Sequence, residues 1–325
     1  MTTILPQSFF ILTCIGLWRP VDWQGWKCKL YDAYSYFVVV TNFAFSLSQL
    51  LDIILVRTSI NELTNNMTML LVMVTACGKI LGILCNRNEI IQIIKSLEEK
   101  PFKPRDQYEI DIRNKYIHIS STYAQVGFDT LFPGMMMYVS AQTNILQYRF
   151  KKVIKALEKI NLKNSADQVK NHKDAEKNII TEWVECHIAV LSFSDYVYEI
   201  FSKPVFLQYC SSSIMLCGTV YYFSSIPMDY VECISTMVFI IGTILQIFMC
   251  CMSAHQLTLQ FADLNDAMYN TDWFNLSINA KKSMIIIVLK TFQPVVFMSG
   301  YIVTLSIESF KSVMKLSYSI YNVLQ

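Results

Sequence analysis

The chain has 325 residues, of which 53% are hydrophobic and 16% charged, with a net charge of +2 and a mean hydropathy of +0.35. A soluble domain carries about a quarter charged residues, so the composition excludes an ordinary soluble protein and indicates a membrane protein. Near-neutral charge offers no field for a nucleic-acid partner. The ten cysteines sit mostly inside apolar runs without the spacing of a disulfide framework. The four histidines, His118, His172, His187 and His255, are scattered and form no metal-ligand pair. The sequence shows no nucleophile–base pair, metal cluster or glycine-rich phosphate loop, which argues against an enzyme and implies no cofactor.

In chain order, residues 9–17 form a short apolar run without a basic leader, so no cleavable signal peptide is expected. Apolar segments follow at 34–56, at 68–84 with Lys79 inside it, and at 116–141, the last interrupted by His118, Gln125 and Asp129. Two strongly apolar segments lie at 204–223 and 231–252, and the chain closes on 294–325. Each has roughly the twenty residues that a bilayer-crossing helix needs, giving six readable spans. Between the third and fourth lies a polar stretch, 142–203, in which Phe150, Val153, Ile154, Leu157 and Ile160 recur at helical spacing. Val190, Phe193, Val197 and Ile200 repeat the pattern, with a turn at 161–174 between the two sets. Residues 87–99 and 253–282 are similar, so a cytoplasmic helical layer is expected.

The closing segment carries Glu308, Lys311, Ser312, Lys315, Ser319 and Asn322 at steps of three and four, which puts them on one stripe of a helix. One continuous helix over 294–325 would be about 48 Å long, more than a bilayer core. Charges at membrane depth usually face a bundle interior or a water-filled path, which makes this a candidate pore-lining helix. The alternative is a final span whose Lys311 and Lys315 snorkel to an interface.

The basic residues create a conflict. Arg87, Lys95, Lys100, Lys103, Arg105, Arg113 and Lys115 crowd 85–115, and Arg149, Lys151, Lys152, Lys155 and Lys159 open a second basic run. Both ask for the cytoplasmic side, yet the single span 116–141 separates them. Either that segment does not cross, or a span is missing.

Several stretches resemble the insect odorant receptors, a seven-span family. They are GLWRP (16–20), GFDTLFPGMMMYVSAQTNILQYRF (127–150), the run 185–217 approaching the fourth readable span, DLNDAMYNTDWF (263–274) and the closing 293–324. The resemblance implies an all-α polytopic membrane helix bundle with a cytoplasmic helical layer and the N-terminus inside. Six of the family's seven spans are readable, and the family's third span and following extracellular loop are missing. The expected division is 1–141 for the N-terminal spans and part of the odorant-binding bundle, and 142–203 for a cytoplasmic extension. Residues 204–254 would hold two spans, 255–293 a cytoplasmic anchor and 294–325 the pore-lining helix.

The family implies an odorant receptor subunit of a ligand-gated non-selective cation channel. It would bind a volatile odorant and form a heterotetramer with the coreceptor Orco in the dendritic plasma membrane of an olfactory neuron. Val323 matches the gate position, with Asn322, Ser319 and Lys315 on the pore side, and Pro294 would divide the cytoplasmic from the membrane half of the last helix. Met67, Leu71, Phe128, Phe206 and Phe239 are the candidate odorant contacts. A non-conducting truncated or splice form, and a small-solute transporter, stand as alternatives.

Overall fold

The computed structural model describes residues 6–20, 23–55, 60–124, 131–162, 169–225, 230–271, 276–291, 296–300 and 302–324. Within them the regular structure is helical apart from one short hairpin. The helices are α1 (Pro6–Cys14), α2 (Trp26–Leu55), α3 (Ile60–Cys85), α4 (Arg87–Glu98), α5 (Gln107–Ala124), α6 (Leu131–Leu162), α7 (Val169–Ser225), α8 (Tyr230–Tyr269), α9 (Ile278–Thr291) and α10 (Ile307–Leu324). The hairpin strands are β1 (Met298–Ser299) and β2 (Val303–Thr304).

Trp26–Leu55, Asn66–Cys85 and Tyr230–Tyr269 are long and apolar enough to cross a membrane. The α2 and α3 helices run antiparallel: Ser46 meets Cys77 at 3.3 Å, and Asn66 Nδ2 donates to Asp52 at 2.8 Å. The α7 helix has 57 residues and would extend about 85 Å, far beyond one bilayer. Its Pro204 lies inside the helix, where proline removes the amide that would bond to the carbonyl four residues earlier. That carbonyl belongs to Ile200, and the Asn86 side-chain amide donates to it at 3.4 Å. Opposite the proline, α3 presents Gly78 and Gly82. A Cβ on Gly82 would stand 2.7 Å from Pro204, and one on Gly78 would overlap Leu207. Small residues four apart let two membrane helices approach closely, so the sequence GKILG sets where α3 crosses α7.

The segment 116–141 departs from expectation. It is not one span: α5 and α6 pack against each other as antiparallel helices. Arg149 pairs with Glu109, Asn144 donates to the Tyr116 hydroxyl, and Met137 and Ala141 pack on Tyr116, Ile112 and Ile119. As numbers rise on one helix they fall on the other, so the loop 99–106 and the far half of α6 share one end of the molecule. The first residues of α6, Leu131 and Phe132, border the same cavity as Gly82 and Ile83 near the end of α3. The α6 helix therefore begins at the level of the last turns of α3.

This resolves the charge conflict, because both basic segments reach one end. Trp18 lies there too, against Arg87, whose guanidinium donates to the Arg19 carbonyl at 3.1 Å. Lysine and arginine favour the cytoplasmic side, which places the N-terminal segment inside. The apolar run LFPGMMMYV was legible as apolar for a different reason from the one expected. Residues 131–143 are buried on every face of α6, as in a helix at the centre of a protein layer. Phe150, Trp183 and His187 continue that core, with Phe150 and Trp183 centroids 5.1 Å apart and His187 stacked on Trp183. The boundaries expected at 141, 203 and 254 all fall inside continuous helices, so membrane and cytoplasmic layers share α7 and α8.

Candidate functional site

The closing segment begins as a hairpin, and α10 starts at Ile307, thirteen residues after the Pro294 start read from the sequence. Gly300 sits at the turn with φ +59°, a left-handed conformation that interrupts any helix. Ser306 then caps α10, its hydroxyl accepting the Ser309 amide at 3.2 Å. At 18 residues α10 is about 27 Å long, close to a hydrocarbon core of roughly 30 Å.

One face of α10 packs on α7 and α8. Val313 joins Leu216, Ile247 and Cys251, while the Phe310 and Phe248 rings meet at 5.4 Å. The Tyr209 hydroxyl donates to the Ser309 carbonyl at 3.1 Å. These pairings run parallel along α7 and antiparallel along α8. The opposite face holds Glu308, Lys311, Ser312, Lys315, Ser319 and Asn322, all exposed. The structure thus gathers the predicted stripe on the face that its own chain leaves uncovered. Val323 lies in the last turn of α10, its side chain outside the described residues.

The foot of α10 is tied to α7 at Ser202. Its hydroxyl donates to the Met298 carbonyl at 3.3 Å and accepts the Gly300 amide at 3.1 Å, while Ser299 donates to the Ser202 carbonyl at 3.2 Å. The Phe206 ring covers Gly300 so closely that a Cβ there would lie 2.5 Å from it. Sequence reasoning named Phe206 for odorant contact and missed Ser202 and Gly300. Ser299-Gly300, a small-residue pair within a strongly apolar run, was the available signal.

The other candidate contacts are dispersed. Leu71 is half-buried on α3, Met67 is exposed one turn nearer the outer end, and Phe239 is half-buried on α8; Phe128 lies outside the described residues. Leu207 packs at Gly78, eleven residues along α3 from Met67, which separates the levels of Phe206 and Met67 by about 16 Å. An apolar cavity of about 60 Å³ lies instead between α3, α6 and α7, with the Lys79 ammonium and Gln208 amide on its wall and Leu12 of α1 closing one side. It is smaller than the roughly 150 Å³ apolar cavity known to hold a benzene ring.

Beneath the membrane level, Arg149 locks the helical layer. Its Nε and Nη2 donate to the two Glu109 oxygens at 2.9 and 2.8 Å, and further N–H groups reach the carbonyls of Pro101 and Lys103 and the Cys186 sulfur. Burial works against the charge, but the Glu109 hydrogen bonds and carboxylate hold the guanidinium above its ordinary pKa. On the rim, Lys152 bonds to Asp106 and lowers that carboxyl below its usual range.

Comparisons with known proteins agree with this architecture. A family model described as 7tm Odorant receptor matches residues 112–318. Odorant receptor Or1 of Anopheles gambiae is 25% identical over 223 residues, 64% of this chain and 53% of that protein. Odorant receptor 67a of Drosophila melanogaster is 23% identical over 233 residues, 71% of this chain and 55% of that protein. The chain thus spans about half the length of the curated relatives it matches. In fold it is similar to the insect olfactory receptor OR5 of Machilis hrabei in complex with eugenol, with a TM-score of 0.80, 13% identity, and coverage of 98% of this chain and 97% of that one. The matched family model covers well over half of the sequence, and on that ground the chain belongs to the insect odorant receptors, a family of multi-pass helical membrane receptors.

Proposed function

We propose that this chain is a subunit of a ligand-gated, non-selective cation channel that binds a volatile odorant and gates a central pore together with the coreceptor Orco. The carrying observation is the uncovered polar stripe of α10. Six polar side chains share one face of a membrane-length helix, while the apolar face is packed on α7 and α8. A face of that kind belongs against water or other subunits and not against lipid. Four such helices around an axis would enclose a wet path. Val323, near the outer end, would narrow it as an apolar constriction that closes by dewetting, with Asn322, Ser319 and Lys315 lining the path below.

The Ser202–Gly300 joint supports coupling between ligand and gate. Pro204, Phe206 and Ser202 lie within one turn and a half of α7, so a ligand that prefers one tilt of α7 would shift the hairpin on which α10 stands. A ligand moves such an equilibrium only by its differential affinity for the two states. Odorant contact by Met67, Leu71, Phe128, Phe206 and Phe239 belongs to the same proposal. Residence in the dendritic plasma membrane follows from the receptor role.

A second reading, a non-conducting shortened form, draws on the α5–α6 pair, whose second helix begins beside the last turns of α3. Co-expression with Orco and a broad panel of volatiles separates the two. An odour-evoked cation current is expected. Surface expression without any current would reject the channel subunit and favour the shortened form, and the transcript between Tyr116 and Gly127 should then show a skipped segment.

A further inference from the structure

We infer that Lys315, with Lys311, sets the charge selectivity of this chain's share of the ion path, disfavouring divalent cations. The inference rests on the pore-lining reading of α10 and goes beyond it. Lys315 is eight residues from the first residue of α10 and nine from the last, so it stands about 12 Å from the foot and about 14 Å from the top. That is farther than the four-methylene stem of lysine reaches from either interface. Snorkelling serves Lys311, near the foot, but not Lys315. A charge at mid-span faces a bundle interior or a water-filled cavity, and Lys315 is exposed on the face its own bundle leaves open.

Among the described residues of the neighbouring spans, no carboxylate forms an ion pair with Lys315. Residues 204–225 of α7 contain no acidic residue, the α8 span 231–252 holds only Glu232, about 22 Å along the helix from Ile247 at the level of Val313, and Glu308 is the only acidic residue of α10. Glu308 lies seven residues from Lys315 but three from Lys311, within side-chain reach of Lys311 alone. The stripe therefore carries one uncompensated positive charge at its centre. In water, a unit charge about 6 Å away changes the local concentration of a monovalent cation about threefold and of a divalent cation about tenfold. The effect on the ratio of calcium to sodium permeability is thus a few-fold for each such lysine, reduced by salt screening.

The test measures reversal potentials in external sodium and external calcium for the full chain co-expressed with Orco. Lys315→Gln is expected to raise calcium permeability relative to sodium about threefold, and Lys315→Glu further, while Lys315→Arg leaves the ratio unchanged. Lys311→Gln is expected to give a smaller rise in the same direction, so the result does not depend on one variant reaching the surface. A parallel arm uses Ser319→Cys, one turn above Lys315, with a cationic thiol reagent, and the unsubstituted chain as control. Block of Ser319→Cys with unchanged ratios in every lysine variant overturns the role of Lys315 and leaves the pore-lining helix standing. Neither block nor any shift in ratio overturns both.

Discussion

Arg149 shows how one residue can fix the cytoplasmic layer. Its five N–H groups go to Glu109, Pro101, Lys103 and Cys186, joining α6 to α5, to the loop before it and to α7. Removing one partner of a buried ion pair leaves an uncompensated charge and costs about 3–5 kcal/mol. Arg149→Met is therefore expected to lower the thermal midpoint of the detergent-solubilised protein sharply. The double variant Arg149→Met with Glu109→Leu should recover much of the loss, and equal damage from both would reject the pairing. In the sequence Arg149 reads as one basic residue of a charged run. Its burial depends on a carboxylate forty positions away, which no local pattern announces.

At the scale of elements, the start of α10 is decided by Gly300 and Ser306. Hydropathy runs smoothly from Pro294 to Leu305, so the segment reads as helix. The chain instead makes a hairpin, because Gly300 adopts a left-handed φ and Ser202 on α7 accepts and donates the hydrogen bonds that hold it. Gly300→Ala adds a backbone penalty of about 1–2 kcal/mol for a left-handed non-glycine residue and a collision with Phe206. The expected result is a lower thermal midpoint. Phe206→Leu in the same chain should restore only the steric part, and a fully tolerated Gly300→Ala would show that the hairpin does not form. The polar stripe, by contrast, was legible because a period of three and four survives wherever the helix begins.

For the whole molecule, the α5–α6 hairpin decides the topology. Its two helices run antiparallel and α6 begins beside the last turns of α3, so both basic ends lie on one side. Lys103→Cys and Lys155→Cys are each expected to react with an impermeant thiol reagent only after the membrane is opened. Labelling of one from outside and the other from inside would restore a single crossing at 116–141 and reject the hairpin. The candidate odorant contacts do not converge: Met67 and Phe206 belong to levels about 16 Å apart.

The sequence by itself determined that the chain is an all-helical membrane protein, where α2, α3 and the outer parts of α7 and α8 lie, and which face of α10 is polar. These features depend on composition and helical period, which are local. Only the tertiary structure decided that 131–143 is the centre of a protein layer, that Arg149 is buried, and that the closing helix rests on a hairpin docked at Ser202. Hydropathy cannot separate lipid from protein interior, since both are apolar surroundings. Which of them an apolar helix meets depends on the neighbours that other parts of the chain bring to it.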